Sequence, residues 1–329
     1  MEPGLVLAVG PNGAGKTNLL ESLHVGTQGF SPRTRSDAEL IRFGENAARI
    51  RLEGVRGQTR VQIGVSLSVG EGKRAEVNGA RLRAAEQLRS HSSTLVFTPD
   101  RLAIVKAGPA ARRAYFDRTF GRLFPSRSSL PPDYAAALAQ RNAALKRGDL
   151  AALAPWTEQV ARIGAALVDA RRETLALLRE PFATRAAALG LDGARLSYEG
   201  DPPTVELLEQ RLERDLERGA TGLGPHLDDV SIAAGARDLR SFGSQGEQRT
   251  AVLALLLAEA ELIEERRGEA PLLLLDDVLS ELDPDRRRVL VGQLAGSGQT
   301  LITSTTMDAL PGEPAQMLEV SPGEVRWSA

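Results

Sequence analysis

The sequence predicts an α/β fold: a phosphate-loop head with a mixed sheet and an antiparallel β segment, interrupted by a helical arm. Three observations predict it. The apolar run Leu5–Val9 stops at Gly10 and leads into Gly10-Pro11-Asn12-Gly13-Ala14-Gly15-Lys16-Thr17, a glycine-rich loop that opens a helical stretch. A second apolar run, Leu272–Leu275, ends in two aspartates, Asp276 and Asp277. Between them lies a long Ala-, Leu- and Arg-rich segment with helical spacing. The head is therefore expected to be discontinuous, residues 1–122 and 221–329, with the arm at 123–220.

Taken in order, Leu5–Val9 is apolar throughout, as a parallel strand covered on both faces must be. The helix after the loop is expected from about Lys16 to His24. Residues 46–79 predict antiparallel strands, since Val61, Ile63, Val65 and Leu67 alternate strictly and Asn78-Gly79 is a hairpin-turn pair. Thr94–Phe97 is a further strand. Pro99-Asp100 and Pro109 each open a helical stretch, because proline is tolerated in a first turn. Residues 125–132 carry Pro125, Pro131 and Pro132 and read as a linker, with helices beyond it to about Gly219. In that stretch Trp156, Val160, Ile163, Leu167, Ala170, Thr174 and Leu177 alternate steps of four and three. The stripe is about 33 Å long at 1.5 Å per residue and is expected to pack inside the arm rather than against another chain. Val205, Leu208, Leu212 and Leu216 mark a further amphipathic helix closing at Gly219. Val230–Ala234 is a strand. Ser244 starts a helix that ends in Arg266-Arg267-Gly268, cations then glycine. Leu272–Leu275 is a buried strand, Pro284–Leu294 a helix and Gln299–Thr303 a strand.

Composition narrows the chemistry. With 329 residues there is chain for about two domains. Aromatics are only 4%, so the core is mostly aliphatic. The net charge is −2, so no global basic field draws the chain to nucleic acid, and any such binding needs a local patch. There are four lysines against 37 arginines, so a single arginine says little and a single lysine says more. The absence of cysteine excludes disulfides, thiol nucleophiles and Cys-ligated metals. His24, His91 and His226 lie far apart, which argues against a multi-histidine metal centre, and each is expected to be structural, with a cap or bridge near the nucleotide as the alternative for His226. The longest apolar stretch, Ala251–Ala258, is far short of the ~20 residues a membrane span needs. No signal-peptide pattern opens the chain, and a cytoplasmic location is expected.

The motifs carry the chemistry. Gly10 to Gly15 let the backbone wrap a phosphate chain with its N–H groups inward, and the following helix aims its positive end at the same phosphates. Lys16 supplies a point charge for the β- and γ-phosphates and Thr17 a hydroxyl for Mg²⁺. Asp276, at the carboxyl end of its strand, is placed to hold Mg²⁺, and Asp277 to polarise the attacking water. Ser244 is a candidate N-cap and Gly246 permits close backbone approach, so this second helix start also suits an anion. Arg112, Arg113, Arg118 and Arg122 make one helix basic: an ordinary solvated face, with DNA phosphate contact as the alternative.

Taken in chain order, the phosphate loop, the Ser244-x-Gly246 helix start and the apolar strand ending at Asp276 resemble the motif set of ABC-type ATPases, with Ser280-Glu281-Leu282-Asp283 similar to that family's D-loop. The run Asp276 to Asp283 narrows the resemblance to the RecF family of DNA-repair ATPases. So do Gly224-Pro225-His226-Leu227-Asp228-Asp229, Ser244-Gln245-Gly246-Glu247-Gln248-Arg249-Thr250, and Phe97-Thr98-Pro99-Asp100 with Arg112-Arg113. The resemblance implies ATP and Mg²⁺ as cofactors and a slow, DNA-stimulated ATPase. It implies an ATP-driven homodimer in which Ser244 and Gly246 of one protomer face nucleotide bound by the other. It also implies binding at single-strand/double-strand DNA junctions and recombinase loading with RecR and RecO, in recombinational repair, fork maintenance and the SOS response. Three departures stand out. RecF-like chains usually carry further strands before the phosphate loop, so a shortened N-terminus and an altered adenine surround are expected. Leu227 stands where arginine is usual. Thr303-Ser304-Thr305-Thr306 stands where many ABC proteins place a histidine. Three other readings compete. A transporter subunit is opposed by Asp277 in place of glutamate and by the helical arm. An SMC-type chromosome-structuring head would need a long coiled coil and a cysteine-based hook. The third is an ATP-gated DNA-binding module without significant hydrolysis.

Overall fold

The computed structural model describes the whole chain except Glu2, Glu281, Ser297, Ser328 and Ala329, and leaves out the side chain of Arg56. The elements begin with β1 (Leu5–Val9), α1 (Lys16–Gln28), β2 (Ala47–Arg56), β3 (Thr59–Ser68), β4 (Gly72–Val77), β5 (Ala80–Arg81) and β6 (Thr94–Phe97). There follow α2 (Ala103–Lys106), α3 (Pro109–Leu123), α4 (Leu130–Arg147), α5 (Leu150–Ala188), β7 (Ala194–Glu199), α6 (Val205–Gln210) and α7 (Leu212–Arg218). The chain continues through β8 (Asp229–Ala234), β9 (Arg237–Asp238), α8 (Leu239–Phe242), α9 (Gln245–Arg267) and β10 (Leu272–Leu275). It closes with α10 (Pro284–Leu294), β11 (Thr300–Ser304), β12 (Gln316–Ser321) and β13 (Glu324–Trp327).

Two compact units divide the chain: residues 1–99 with 263–329, and residues 100–262. The sequence sets its head and arm at 122/123 and 220/221 instead. The difference has a physical cause in ion pairs that tie the flanking segments to the arm helices and to each other. Arg112 pairs with Asp229, Arg171 with Asp117, Arg122 with Glu259, and Arg185 with Glu261.

The first unit holds a six-stranded sheet in the order β13-β12-β1-β11-β10-β6. β1 lies between β11 and β12, parallel to both, with Leu5 opposite Thr300 and Val6 opposite Gln316. Val6, Ala8, Leu274, Leu301 and Leu318 form its core with Leu20 of α1. A separate antiparallel sheet runs β2-β3-β4-β5. Its Ile63, Val65 and Val77 pack on Val25 of α1 and on Leu88. Asn78 and Gly79 both have positive φ, the condition for the tight hairpin between β4 and β5. Gly26 lets α1 approach this sheet, since a Cβ there would sit 2.5 Å from Leu52.

The second unit is mainly helical, with the small sheet β7-β8-β9. The heptad stripe packs internally: Val160 and Leu167 lie in one cluster with Tyr134, Ala137 and Leu208, and Ala170 and Thr174 are buried. Arg141 is fully buried and ion-paired to Asp215, with Thr157 and Thr221 taking further guanidinium hydrogens. Three expectations are corrected here. Pro131 and Pro132 do not form a linker but sit in the first turn of α4, where neither ring costs a hydrogen bond. The helical stretch to Gly219 is interrupted by β7, whose pairing with β8 the local sequence does not announce. The single amphipathic helix of 205–216 breaks at Arg211 into α6 and α7, and Gly219 caps the second in a left-handed conformation.

Candidate functional site

The phosphate loop grows from the carboxyl end of β1. Gly10 donates its N–H to Ser304 O at 3.3 Å, and no larger residue fits there, because a Cβ would fall 2.2 Å from Val320 O. Gly13 and Gly15 take φ values of 81° and 103°, a region costly for other residues. Pro11, Asn12 and Gly13 are exposed, while Ala14 turns inward and donates its N–H to Pro11 O at 3.2 Å. Lys16 is buried and folds over the loop, with Nζ donating to Gly10 O at 2.7 Å and Pro11 O at 3.0 Å. α1 has Gly15 at its N-cap, no side-chain cap and no acidic residue in its first turn, so its amide hydrogens stay directed at the loop.

β10 brings Asp276 to the same end of the sheet, its N–H donating to Phe97 O at 2.9 Å. Asp276 is buried, and two hydroxyls donate to it: Thr17 to Oδ2 at 2.9 Å and Thr303 to Oδ1 at 2.7 Å. Thr303 also accepts the N–H of Asp277 at 2.9 Å. Asp277 itself has φ 50°, a conformation in which aspartate is among the better tolerated residues. Loop, Thr17, Asp276 and Asp277 therefore converge as the sequence predicts. Thr303 joins them, although its run stood out in the sequence only for lacking a histidine. The signal that finds it is its place at the carboxyl end of β11, between β1 and β10.

Thr17 Oγ1 and the Asp276 carboxylate are hard oxygen donors side by side, which fits Mg²⁺. Among the described residues no cluster of three or more His, Asp or Glu is placed to hold a metal alone. Such an ion would therefore take its remaining ligands from phosphate and water.

Ser244 and Gly246 lie in the second unit. Ser244 Oγ accepts the N–H of Glu247 at 3.2 Å, and the Glu247 carboxylate accepts the N–H of Ser244 at 2.8 Å, a reciprocal capping box. That N–H, with Arg237 next, holds the Glu247 carboxyl below its ordinary range. Gly246 is exposed, and a Cβ there would meet only Ser244 Oγ, at 4.0 Å. Nothing inside the fold requires glycine at that position. In the D-loop segment Leu282 is buried and Asp283 caps α10 by accepting the N–H of Arg286 at 2.9 Å, while Glu281 lies outside the described residues.

The Gly224–Asp229 motif and Arg112-Arg113 prove to be one structural knot. Arg112 grips Asp229 with two nitrogens at 2.7 and 2.6 Å, and Arg113 donates to Asp228 O at 2.7 Å. His226 Nε2 faces Thr221 O at 3.0 Å and so carries the proton, leaving Nδ1 to accept from Tyr134 OH at 2.8 Å. Burial pushes its pKa below the ordinary histidine value. His24 Nδ1 likewise meets a carbonyl, Phe30 O, at 2.9 Å. Leu227 is exposed.

Comparison with known proteins agrees with this geometry. The family model of the RecF/RecN/SMC N-terminal domain matches residues 1–323. The DNA replication and repair protein RecF of Myxococcus xanthus (strain DK1622) is 38% identical over 92% of this chain and 85% of its own. That of Anaeromyxobacter sp. (strain K) is 39% identical over 98% and 92%. A solved structure of the recombination mediator protein RecF with ATP, from the RecFOR pathway, superposes with a TM-score of 0.87 at 30% identity, covering 100% of this chain and 92% of that one. The Smc head domain of Pyrococcus furiosus, at 16% identity and a TM-score of 0.59 over 99% and 90% of the chains, shares the fold. An ABC-type head whose loop, capped Ser244 helix and Asp276 strand end occur in this order, matched along nearly its whole length, belongs to the RecF family.

Proposed function

We propose that this chain is an ATP-dependent DNA-binding clamp of recombinational repair and replication-fork maintenance. The observation that carries the reading is Asp276 accepting hydroxyls from both Thr17 and Thr303 beneath the loop, a ready seat for the metal of a metal–nucleotide complex. Gly10 to Gly15 hold the phosphates through backbone N–H groups, and Lys16 turns its ammonium from the loop carbonyls to the β- and γ-phosphates. Thr17 and Asp276 hold Mg²⁺, which when bound neutralises charge developing on the phosphates. Asp277 orients water for in-line attack.

The helix start at Ser244 and the unobstructed Gly246 take the γ-phosphate of ATP bound by a second copy, so ATP closes a homodimer and hydrolysis opens it. The dimer holds single-strand/double-strand DNA junctions in the cytoplasm and works with RecR- and RecO-type mediators. ATP with Mg²⁺ should produce a dimer by sedimentation and stable binding of a junction DNA. Lys16→Ala should lose both while keeping its circular dichroism spectrum. Unchanged ATP affinity and turnover in Lys16→Ala would overturn the assignment.

A second reading, an ATP-gated module with negligible turnover, is favoured by the threonine that follows β11 where a histidine is common. Single-turnover hydrolysis with DNA present separates the two.

A further inference from the structure

The basic side of α3 divides in two. Arg112 and Arg113 are spent on β8 and the segment before it. Arg118 and Arg122 stand one turn apart on the face that carries Tyr115, about 6 Å from each other along the axis. Arg101, in the turn after Pro99, lies near enough to feel the charges of both. One carboxylate answers all three: Glu259, 1% exposed, accepts from Arg122 Nε at 2.7 Å and from Tyr115 OH at 3.1 Å. The other nearby acid, Asp117, is held by two nitrogens of Arg171. The guanidinium groups of Arg101 and Arg118 make no hydrogen bond or ion pair with any described residue.

Two positive charges are thus left over in one place. Burial, then repulsion from Arg122 and Arg118, pushes the Arg101 pKa down to about 10. Partial burial and Arg122 push Arg118 down as well. Like charges one helical turn apart destabilise a helix, and a bound anion relieves that cost. A planar guanidinium matches phosphate oxygens two at a time, and several close together suit a polyanion better than a single small ion. In a chain whose net charge is −2, nucleic-acid binding requires such a local patch.

We propose that Arg101, Arg118 and Arg122 form the patch on which the chain seats the phosphate backbone of DNA, an inference that rests on the DNA-binding function above. The test is the double variant Arg101→Gln/Arg118→Gln. Arg122 stays, because it neutralises the buried Glu259. Fluorescence anisotropy with labelled duplex and junction DNA, with ATP and Mg²⁺, should be run between about 50 and 200 mM salt. The variant should weaken binding equally for unrelated sequences, and its slope of log affinity against log salt should be shallower by about 2. ATP-driven dimerisation should be unchanged. Arg214→Gln, which removes an exposed charge on α7, should leave the slope as it was. A variant that binds with wild-type affinity and slope overturns the patch and leaves the DNA-binding function standing. An equal loss in Arg214→Gln likewise overturns the patch. Wild-type protein that binds no DNA overturns both. Full DNA affinity with lost capture of poly-glutamate would mean that the patch takes an acidic protein segment instead.

Discussion

Replacing Thr303 by valine removes a hydroxyl that gives one hydrogen bond to Asp276 and accepts another from the Asp277 amide, at nearly constant volume. The buried carboxylate keeps only Thr17 and the Asp277 amide loses its acceptor. Unfolding by urea should show a loss of about 1–3 kcal/mol, and Thr303→Ser should recover most of it. Mg²⁺-dependent ATP affinity should fall in the valine variant alone. A valine variant as stable and as tight-binding as wild type would show that Asp276 needs no second hydroxyl. Asp277 offers the complementary test. Asparagine is at home at φ 50°, so Asp277→Asn preserves the backbone and removes only the carboxylate. Hydrolysis should slow by about 100-fold or more, while the ATP-closed dimer and its bound DNA persist longer. Turnover at the wild-type rate would assign the water to another group.

At the scale of the element, the start of α9 carries two roles that one substitution pulls apart. Ser244→Ala removes the cap and should cost about 1 kcal/mol, with ATP-driven dimerisation weakened. Ser244→Arg adds a bulky cation at the positive end of the helix. It should leave ATP binding by the monomer nearly normal and abolish the dimer in sedimentation. A Ser244→Arg protein that dimerises like wild type would reduce the motif to a helix cap. The elements also show which signals in the sequence are local. Leu5–Val9, Thr94–Phe97, Leu272–Leu275 and Pro284–Leu294 are predicted to the residue, because each is a closed apolar run or starts at a proline. β7 is missed because its alternation, Ala194 and Leu196 inward, is short and gains meaning only from β8. β12 and β13 are missed because a parallel strand beside β1 and its hairpin partner depend on a contact about 300 residues away. Residues 125–132 fail for the opposite reason. Three prolines look like a break, yet two of them stand where a helix start needs no amide hydrogen.

At the scale of the molecule, the two groups of site residues belong to different units of the chain, the loop and aspartates to one and Ser244 to the other. Mixing Ser244→Arg with Lys16→Ala tests the two-chain site directly. Each mixed pair has at most one composite site with both halves intact, so ATP should drive partial dimerisation of the mixture where neither variant dimerises alone. No association in the mixture, with both variants folded, would show that one intact site does not hold the pair. The loop, Asp276, Asp277 and Ser244 were legible as motifs because each needs particular residue types at fixed spacing. Thr303 and the grouping of Arg101 with Arg118 and Arg122 were not, because chain segments far apart in sequence bring them together.

The place of β1 between β11 and β12 bears on how the protein is made. Residues 100–262 form their unit from one continuous stretch, whereas β1 finds its first sheet partner near Thr300 and its second near Gln316. At about 5–20 residues per second a ribosome needs roughly 15–60 s to reach that point. For all that time Leu5–Val9 is an unpaired apolar strand, and the loop that follows has no Ser304 carbonyl and no Val320 backbone to shape it. Chains released before β11 and β12 are made therefore have no nucleotide pocket. Binding competence is acquired only once β11 and β12 have been made.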